Sequence, residues 1–273
     1  MRVMLLIALV LMLLERLWPA HEQPSSRRWV LRALILGFAG VPLLMLGQAT
    51  WIPWFRDNAV THALRSLPPL LNGFIAFLAF QFFLYWWHRF KHTNDFLWRT
   101  LHQMHHSPRR IEVLTTYYGH PIDGMGNLIL SGFVCWYLLG LDWRAVGWFA
   151  LIEGFYDYFT HSNLRTPYWL GYFIQRPEMH RVHHEYGKHQ SNYSLPIWDM
   201  LFGTHVNPKP GQEIARCGFD EDKEMMVGKM LRFVDVHKLP EPGPVDVAAP
   251  AVDGESPDPV AWRAGNAADV PNQ

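Results

Sequence analysis

The residues able to do chemistry in this chain are its histidines. There are 15, and 11 of them fall between His88 and His189. Three groups stand out: His88 and His92 in WWHRFKH, His102, His105 and His106 in LHQMHH, and His180, His183 and His184 in MHRVHHE. Residues three and four apart share a helix face, so each group aims two or three imidazoles one way. A lone histidine is usually a hydrogen-bonded core or interface residue. Three clusters, two of them HxxHH, point instead to metal ligation, because crowded imidazoles repel on protonation and a bound cation offsets that cost. Eight imidazoles exceed what one ion can use, so the spacing implies two. It does not name the metal, since imidazole suits iron, zinc, copper and nickel alike.

The elements that must carry these groups are apolar. Hydrophobic residues make up 49% of 273, aromatics 15% and charged residues only 18%. Residues 3–14 form an uninterrupted apolar run, short for the roughly 20 residues a bilayer span needs. This run matches a signal-peptide core or, with Leu17 and Trp18 extending it, a retained membrane helix; the further spans favour the helix. Residues 30–51, with Pro42 as a possible bend, and residues 70–87 give clearer spans. The second ends in Phe82, Phe83, Tyr85, Trp86 and Trp87, an aromatic belt that places the water boundary near His88. Segments 126–140 and 145–160 are short and predict a helical hairpin around residues 141–144. The expected fold is an all-α integral membrane protein of about four to five membrane helices, capped by a cytosolic histidine-rich helical di-metal domain. Its divisions are residues 1–68 (membrane helices and loop), 69–206 (catalytic membrane domain), 207–238 (an amphipathic extension around Met225, Met226, Met230, Leu231 and Val234) and 239–273 (a Pro/Ala/Asp/Gly tail expected to be disordered).

Basic residues set the orientation. Arg16, Arg27 and Arg28 in the first loop and Arg89, Lys91, Arg99, Arg109 and Arg110 in the third place every histidine group on the cytoplasmic side. The second loop has Arg56 and Arg65. Zero formal net charge gives no reason to expect a nucleic-acid partner. Cys135 and Cys217 form no metal or redox motif, which excludes a disulfide framework and a fused iron–sulfur domain. No flavin or nicotinamide fingerprint is present.

The order HxxxH, HxxHH, HxxHH resembles the fatty acid hydroxylase/sterol desaturase superfamily. The likeness extends to Leu97-Trp98-Arg99, His120-Pro121, His161-Ser162-Asn163, Asn192-Tyr193 and the run Trp198-Asp199-Met200-Leu201-Phe202-Gly203-Thr204. It covers about residues 75–205. Four positions depart from the family pattern: Gln81 for Asp, Tyr118 near a frequent Arg, Ser194 for Gly and Met200 for Arg. None removes a box histidine, and all lie where a substrate would be read.

The resemblance adds His120 and His161 to the ligand set of His88, His92, His102, His105, His106, His180, His183 and His184. Glu153 and Asp157 precede His161 at four-residue steps and are candidates for orienting ligands, or for interhelical hydrogen bonding alone; Asp199 is a third such carboxylate. His189 lies near the third box in a poorly matching loop. His21, His62, His205 and His237 have no supporting spacing. The implied cofactors are two iron ions, with zinc able to replace them in a preparation, and dioxygen is the cosubstrate. The implied partners are a membrane lipid and a separate electron donor, whether ferredoxin, cytochrome or reductase, with a bacterial inner membrane as the location. The expected reaction is hydroxylation of a lipid C–H bond. The alternatives are desaturation of a sterol or fatty acyl chain, ether-lipid monooxygenation or, outside oxygenases, metal binding or transport. Transport sites sit near the bilayer midplane, whereas these clusters follow the ends of spans.

Overall fold

The computed structural model describes residues 2–239. The expected tail therefore lies, but for its first residue, outside the described part. Helix α1 is Arg2–Leu17, and α2 (Trp29–Ala39), α3 (Val41–Ala49) and α4 (Trp51–Asp57) follow almost without a break. Helix α5 runs Pro69–Thr93, α6 Pro121–Gly132, α7 Trp143–His161, α8 Pro177–His183 and α9 Pro196–Leu201. Among the described residues there is no strand, only an isolated bridge between Glu185 and Cys217.

Local sequence explains these starts and stops. Proline opens α5, α6, α8 and α9, where its missing N–H costs nothing and its fixed φ already suits a helix. Asp142 begins α7 by accepting hydrogen bonds from the Arg144 and Ala145 amides, each at 2.9 Å, which satisfies two donors the helix leaves free. The preceding turn passes through Gly140 at φ +54°, where a Cβ would lie 1.8 Å from the Thr61 carbonyl oxygen. The two expected segments are present and joined by this turn, but the first ends in a π-helical stretch, Phe133–Leu138, and each packs on α5.

Two helical runs are long and apolar enough to cross a membrane: Trp29–Asp57, 29 residues, and Pro69–Thr93, 25 residues. At 1.5 Å per residue the second is about 37 Å long, against a hydrocarbon thickness of about 30 Å. Its last turns, with His88 and His92, exceed that thickness. The other expected membrane helices are shorter, and α7 carries Glu153 and Asp157. The expected amphipathic helix near the C-terminus is two single turns, Glu221–Glu224 and Val227–Met230.

Helices α5 and α7 form the spine. Gly73 lets them touch: a Cβ there would meet Trp148 Cβ at 2.6 Å and the Phe149 amide at 2.7 Å. Beyond it Ala76, Phe77, Phe80, Phe149 and Tyr156 pack with Val134, Cys135 and Leu141. On α1 the pattern is inverted relative to a water-soluble helix. Leu5, Leu6, Leu9 and Leu13 point outward, while Glu15 is buried. Its Oε2 accepts from the Val113 and Asn163 amides at 3.1 and 3.0 Å, tying α1 to the end of α7.

The α5–α7 contact yields a matched pair of expectations. Gly73→Ala lowers stability by about 1–3 kcal/mol, because the added methyl meets backbone that cannot yield. Gly147→Ala, in α7 with nothing within 4 Å, is neutral or stabilising by up to about 1 kcal/mol from helix propensity. Thermal unfolding of the two variants in detergent checks the difference.

Candidate metal centre

The histidine boxes are placed by the ends of α5, α7 and α8 and by helical turns over residues 95–106. In that last stretch, turns Asp95–Leu97 and Gln103–His106 flank a π turn, Trp98–His102. Such turns are frequent at functional sites, and this one carries His102. Asn94 starts the segment by accepting from the Leu97 amide at 3.0 Å.

Nine imidazoles converge into two groups. One holds His88, His92, His102, His106 and His183, the other His105, His161, His180 and His184, and within each the ligand atoms lie within 4.8 Å of one another. Each HxxHH segment is thus divided. His102 and His106, four apart, serve the first group and His105 the second; His180 and His184 serve the second and His183 the first. At about 100° per residue, i and i+4 differ by only about 40°, while i+3 falls on the other side. Two such segments facing each other exchange their odd members. The end of α5 completes one group and the end of α7 the other.

The hydrogen bonds fix which nitrogen faces inward. Nδ1 donates to the Tyr193 carbonyl from His88 (2.7 Å), to the Tyr118 carbonyl from His105 (3.2 Å), to the Asp157 carbonyl from His161 (2.8 Å) and to the Ser191 carbonyl from His183 (2.7 Å). His102 Nδ1 donates to Asp123 Oδ2 at 2.7 Å. With these protons committed, Nε2 presents a lone pair. The Nε2 atoms of His88 and His102 stand 2.8 Å apart, and those of His161 and His105 3.3 Å. Facing lone pairs at such distances repel unless a cation sits among them. His92 Nε2 and His183 Nε2 are buried with no partner among the described residues, as atoms awaiting a metal would be. The donor set fits two nitrogen-ligated ions.

Electrostatics agree. Burial, reinforced by neighbouring imidazoles, lowers His105 to a pKa of about 4 and holds His102, His106, His180 and His184 well below the ordinary value. Burial does the same at His183, against the opposing effect of its bond to Ser191. Neutral rings are the form that binds metal.

Two features of the site were not legible in the histidine pattern. Asp123 Oδ1 accepts from Lys91 Nζ at 2.7 Å while its Oδ2 holds His102. Lys91, counted above among basic loop residues, is only 2% exposed. Arg109 and Arg110 are likewise paired, with Glu224 and Glu112. An acid one turn after His120-Pro121 was the available signal for Asp123, but nothing in sequence joins it to His102. The second feature is the loop after α8, where His189, Ser191 and Asn192 take φ of 44°, 72° and 50°. This left-handed backbone is costly for such residues, and here it turns the Ser191 carbonyl toward His183. Asn192 braces the loop, donating to the Met179 and Val206 carbonyls, each at 2.9 Å.

The remaining candidates fall outside the two groups. His120 does not join them: its Nδ1 accepts from the Ile122 amide at 3.2 Å and so caps α6, which puts the proton of the neutral ring on Nε2 and leaves no free lone pair. His189 is buried beside His106, Trp98 and His237, with both ring nitrogens unpartnered. Glu153 bonds to Gln81 rather than to an imidazole, and Asp157 reaches His161 with its carboxylate as well, at 3.2 Å. Asp199 accepts from the Tyr193 and Ser194 amides and from Thr204; it thereby fixes the strand of chain whose carbonyl holds His88. His205 bonds to the Gly171 carbonyl.

A cavity of about 560 Å³ adjoins both groups, touching His88 and His102 of one and His105, His161 and His180 of the other. Phe80, Leu84, Leu128 and Phe149 give it apolar walls, as a pocket for a hydrocarbon chain requires.

Residues 73–204 match the fatty acid hydroxylase family. Over 203 residues the chain is 29% identical to a very-long-chain aldehyde decarbonylase from Oryza sativa subsp. indica, covering 71% of this chain and 78% of that protein. It is 37% identical over 134 residues to an ornithine lipid hydroxylase from Rhizobium tropici (47% and 40% covered). It is 28% identical over 155 residues to a sphingolipid C4-hydroxylase from Schizosaccharomyces pombe (54% and 52% covered). No solved structure matches.

Asp123 provides the sharpest test of the ligand geometry. Asp123→Asn removes the acceptor that orients His102 and leaves Lys91 without its counter-charge. Metal affinity of the first group should fall 10- to 100-fold, seen as loss of one metal equivalent on dialysis against a chelator while the second is retained.

Proposed function

We propose that the chain, whose residues 73–204 match the fatty acid hydroxylase family, is a membrane-bound di-iron oxygenase that hydroxylates a C–H bond of a lipid. The observation that carries this reading is the pair of convergent imidazole groups opening onto one apolar cavity. Iron held by these residues would supply the dioxygen activation that inert C–H bonds demand and side chains cannot provide. Two of the three relatives described above are named hydroxylases, which favours hydroxylation over desaturation.

The chain's own residues have distinct tasks in this scheme. The carbonyls of Tyr193, Ser191, Tyr118 and Asp157 and the carboxylate of Asp123 hold five rings in the tautomer that offers Nε2. Lys91 balances the Asp123 charge in a buried setting. Phe80, Leu84, Leu128 and Phe149 hold the chain and keep water from the reacting carbon. His120 caps α6, the helix that brings Asp123 to His102. Electrons come from a separate donor, a ferredoxin, cytochrome or reductase.

The cytoplasmic orientation of the site in a bacterial inner membrane is part of the same proposal. It is supported by Arg16, Arg27, Arg28, Arg89 and Arg99 on the histidine side, against Arg56, Arg65 and Arg144 at the other helix ends. A transport role is disfavoured because the groups follow the ends of spans, not their middle. A purely structural zinc site is disfavoured at the first group, where five imidazoles converge and such sites close with four.

Lipid mass spectrometry with heavy-oxygen-labelled dioxygen tests the reading. Cells expressing the wild type should contain a labelled hydroxylipid that is absent from cells expressing His183→Ala. Identical lipid profiles, with unchanged metal content, would overturn it.

A further inference from the structure

The C-terminal turns Glu221–Glu224 and Val227–Met230 take no part in the metal centre, yet they help to wall a second cavity. It measures about 500 Å³, with Leu31, Ile35 and Leu36 of α2 on one side and Met225, Val227 and Leu231 on the other. Leu31 and Ile35 are 53% and 58% exposed. An open aliphatic groove of this size fits a hydrocarbon chain. Leu36 is buried and also lines the cavity beside the imidazoles, so the two spaces are neighbours.

The mouth of the groove is basic. Arg27, Arg28 and Arg32 line it and no acidic residue does. Arg32 is already engaged: it donates to Glu224 Oε1 at 2.9 Å and to the Tyr118 hydroxyl at 3.2 Å, which pins α2 to the C-terminal turns. Glu224 also serves Arg109 at 3.1 Å, and Glu221 pairs with Arg109 at 3.3 Å. Arg27 and Arg28 are exposed, and neither guanidinium has an ion pair or hydrogen bond among the described residues. Arg28 moreover takes left-handed backbone, φ 52° and ψ 34°, where glycine or asparagine costs less. The turn itself gives no reason for an arginine there.

These parts lie in the order of a phospholipid. The run that begins at Trp29 is long and apolar enough to cross a membrane, so Arg27 and Arg28 stand at its end, where headgroups are. Ile35 lies seven residues beyond Arg28, about 10 Å along the axis of α2, where acyl chains begin. We propose that this groove holds one anionic phospholipid of the leaflet on the histidine side, its phosphate at Arg27 and Arg28 and an acyl chain along Leu31, Ile35 and Leu231. The site rests on α2 lying in a membrane and not on the reaction at the metal centre. A zwitterionic lipid offers the same chain, but its ammonium offsets the charge the arginines attract.

Native mass spectrometry of the full chain in detergent, titrated with dioleoyl phosphatidylglycerol and dioleoyl phosphatidylcholine, tests this. Wild type should retain one phosphatidylglycerol about tenfold more tightly than phosphatidylcholine, the scale of two basic residues at a membrane surface. Arg27→Gln/Arg28→Gln should abolish that preference with metal content unchanged. Arg56→Gln/Arg144→Gln, which removes the same charge at the other helix ends, should keep it. Ile35→Trp, which fills the groove, should weaken retention of both lipids several-fold. The two arginines are exposed and unpaired, so their replacement keeps the test decisive should Ile35→Trp fail to fold. Equal retention of the two lipids by wild type, or a preference that survives loss of Arg27 and Arg28, overturns the inference. So does retention unchanged in a folded Ile35→Trp, or an equal loss in Arg56→Gln/Arg144→Gln. Displacement of the lipid by millimolar inorganic phosphate also overturns it, because the arginines would then serve a free anion.

Discussion

Nine imidazole nitrogens that repel each other are held in two tight groups, and the rest of the structure has to supply the force that keeps them there. Part of it comes from hydrogen bonds that lock each ring from behind. The Nδ1–H of five rings is committed to four carbonyls and to Asp123, so those rings cannot turn their lone pairs away. Burial supplies the rest by keeping His102, His105, His106, His180, His183 and His184 neutral. The π turn at Trp98–His102 and the left-handed loop at residues 189–192 are local departures from ideal backbone. The loop delivers the Ser191 carbonyl to His183 and the π turn carries His102, so both stretches end at the centre.

The helices outside the centre serve it by their lengths and their contacts. Helix α5 exceeds a bilayer's hydrocarbon thickness by about 7 Å, a little over one turn, and its C-terminal end bears His88, Lys91 and His92. Helix α7 touches α5 at Gly73 and ends at His161. Polar groups tie this apolar framework together: Glu15 accepts from two backbone amides, Lys91 pairs with Asp123 and Gln81 donates to Glu153. Apolar walls beside two convergent imidazole groups are what the proposed lipid oxygenase needs.

Much of the centre could be read from spacing. HxxxH and two HxxHH segments marked eight of the nine imidazoles that converge, and His161, the ninth, stood out through its His-Ser-Asn setting. The exchange of His105 and His183 between the groups follows from helix angles once the two segments are known to face each other, but only folding makes them face. His120 lies outside the two groups because His-Pro marks the start of α6, where the imidazole caps the helix. Lys91 misled because a basic residue after an aromatic belt has the signature of a membrane-flanking charge, whereas its partner Asp123 lies 32 residues away. The link between Gln81 and Ser194, 113 residues apart, was equally out of reach, although each had already stood out alone.

Iron K-edge X-ray absorption of the iron-loaded protein, with the metal content of the same sample, bears most directly on the central claim. The account predicts two irons per chain, each in a shell of nitrogen and oxygen with the outer-shell scattering of several imidazoles, and no sulfur. A single iron per chain, or a shell dominated by sulfur or by carboxylate oxygen with little imidazole scattering, would contradict it.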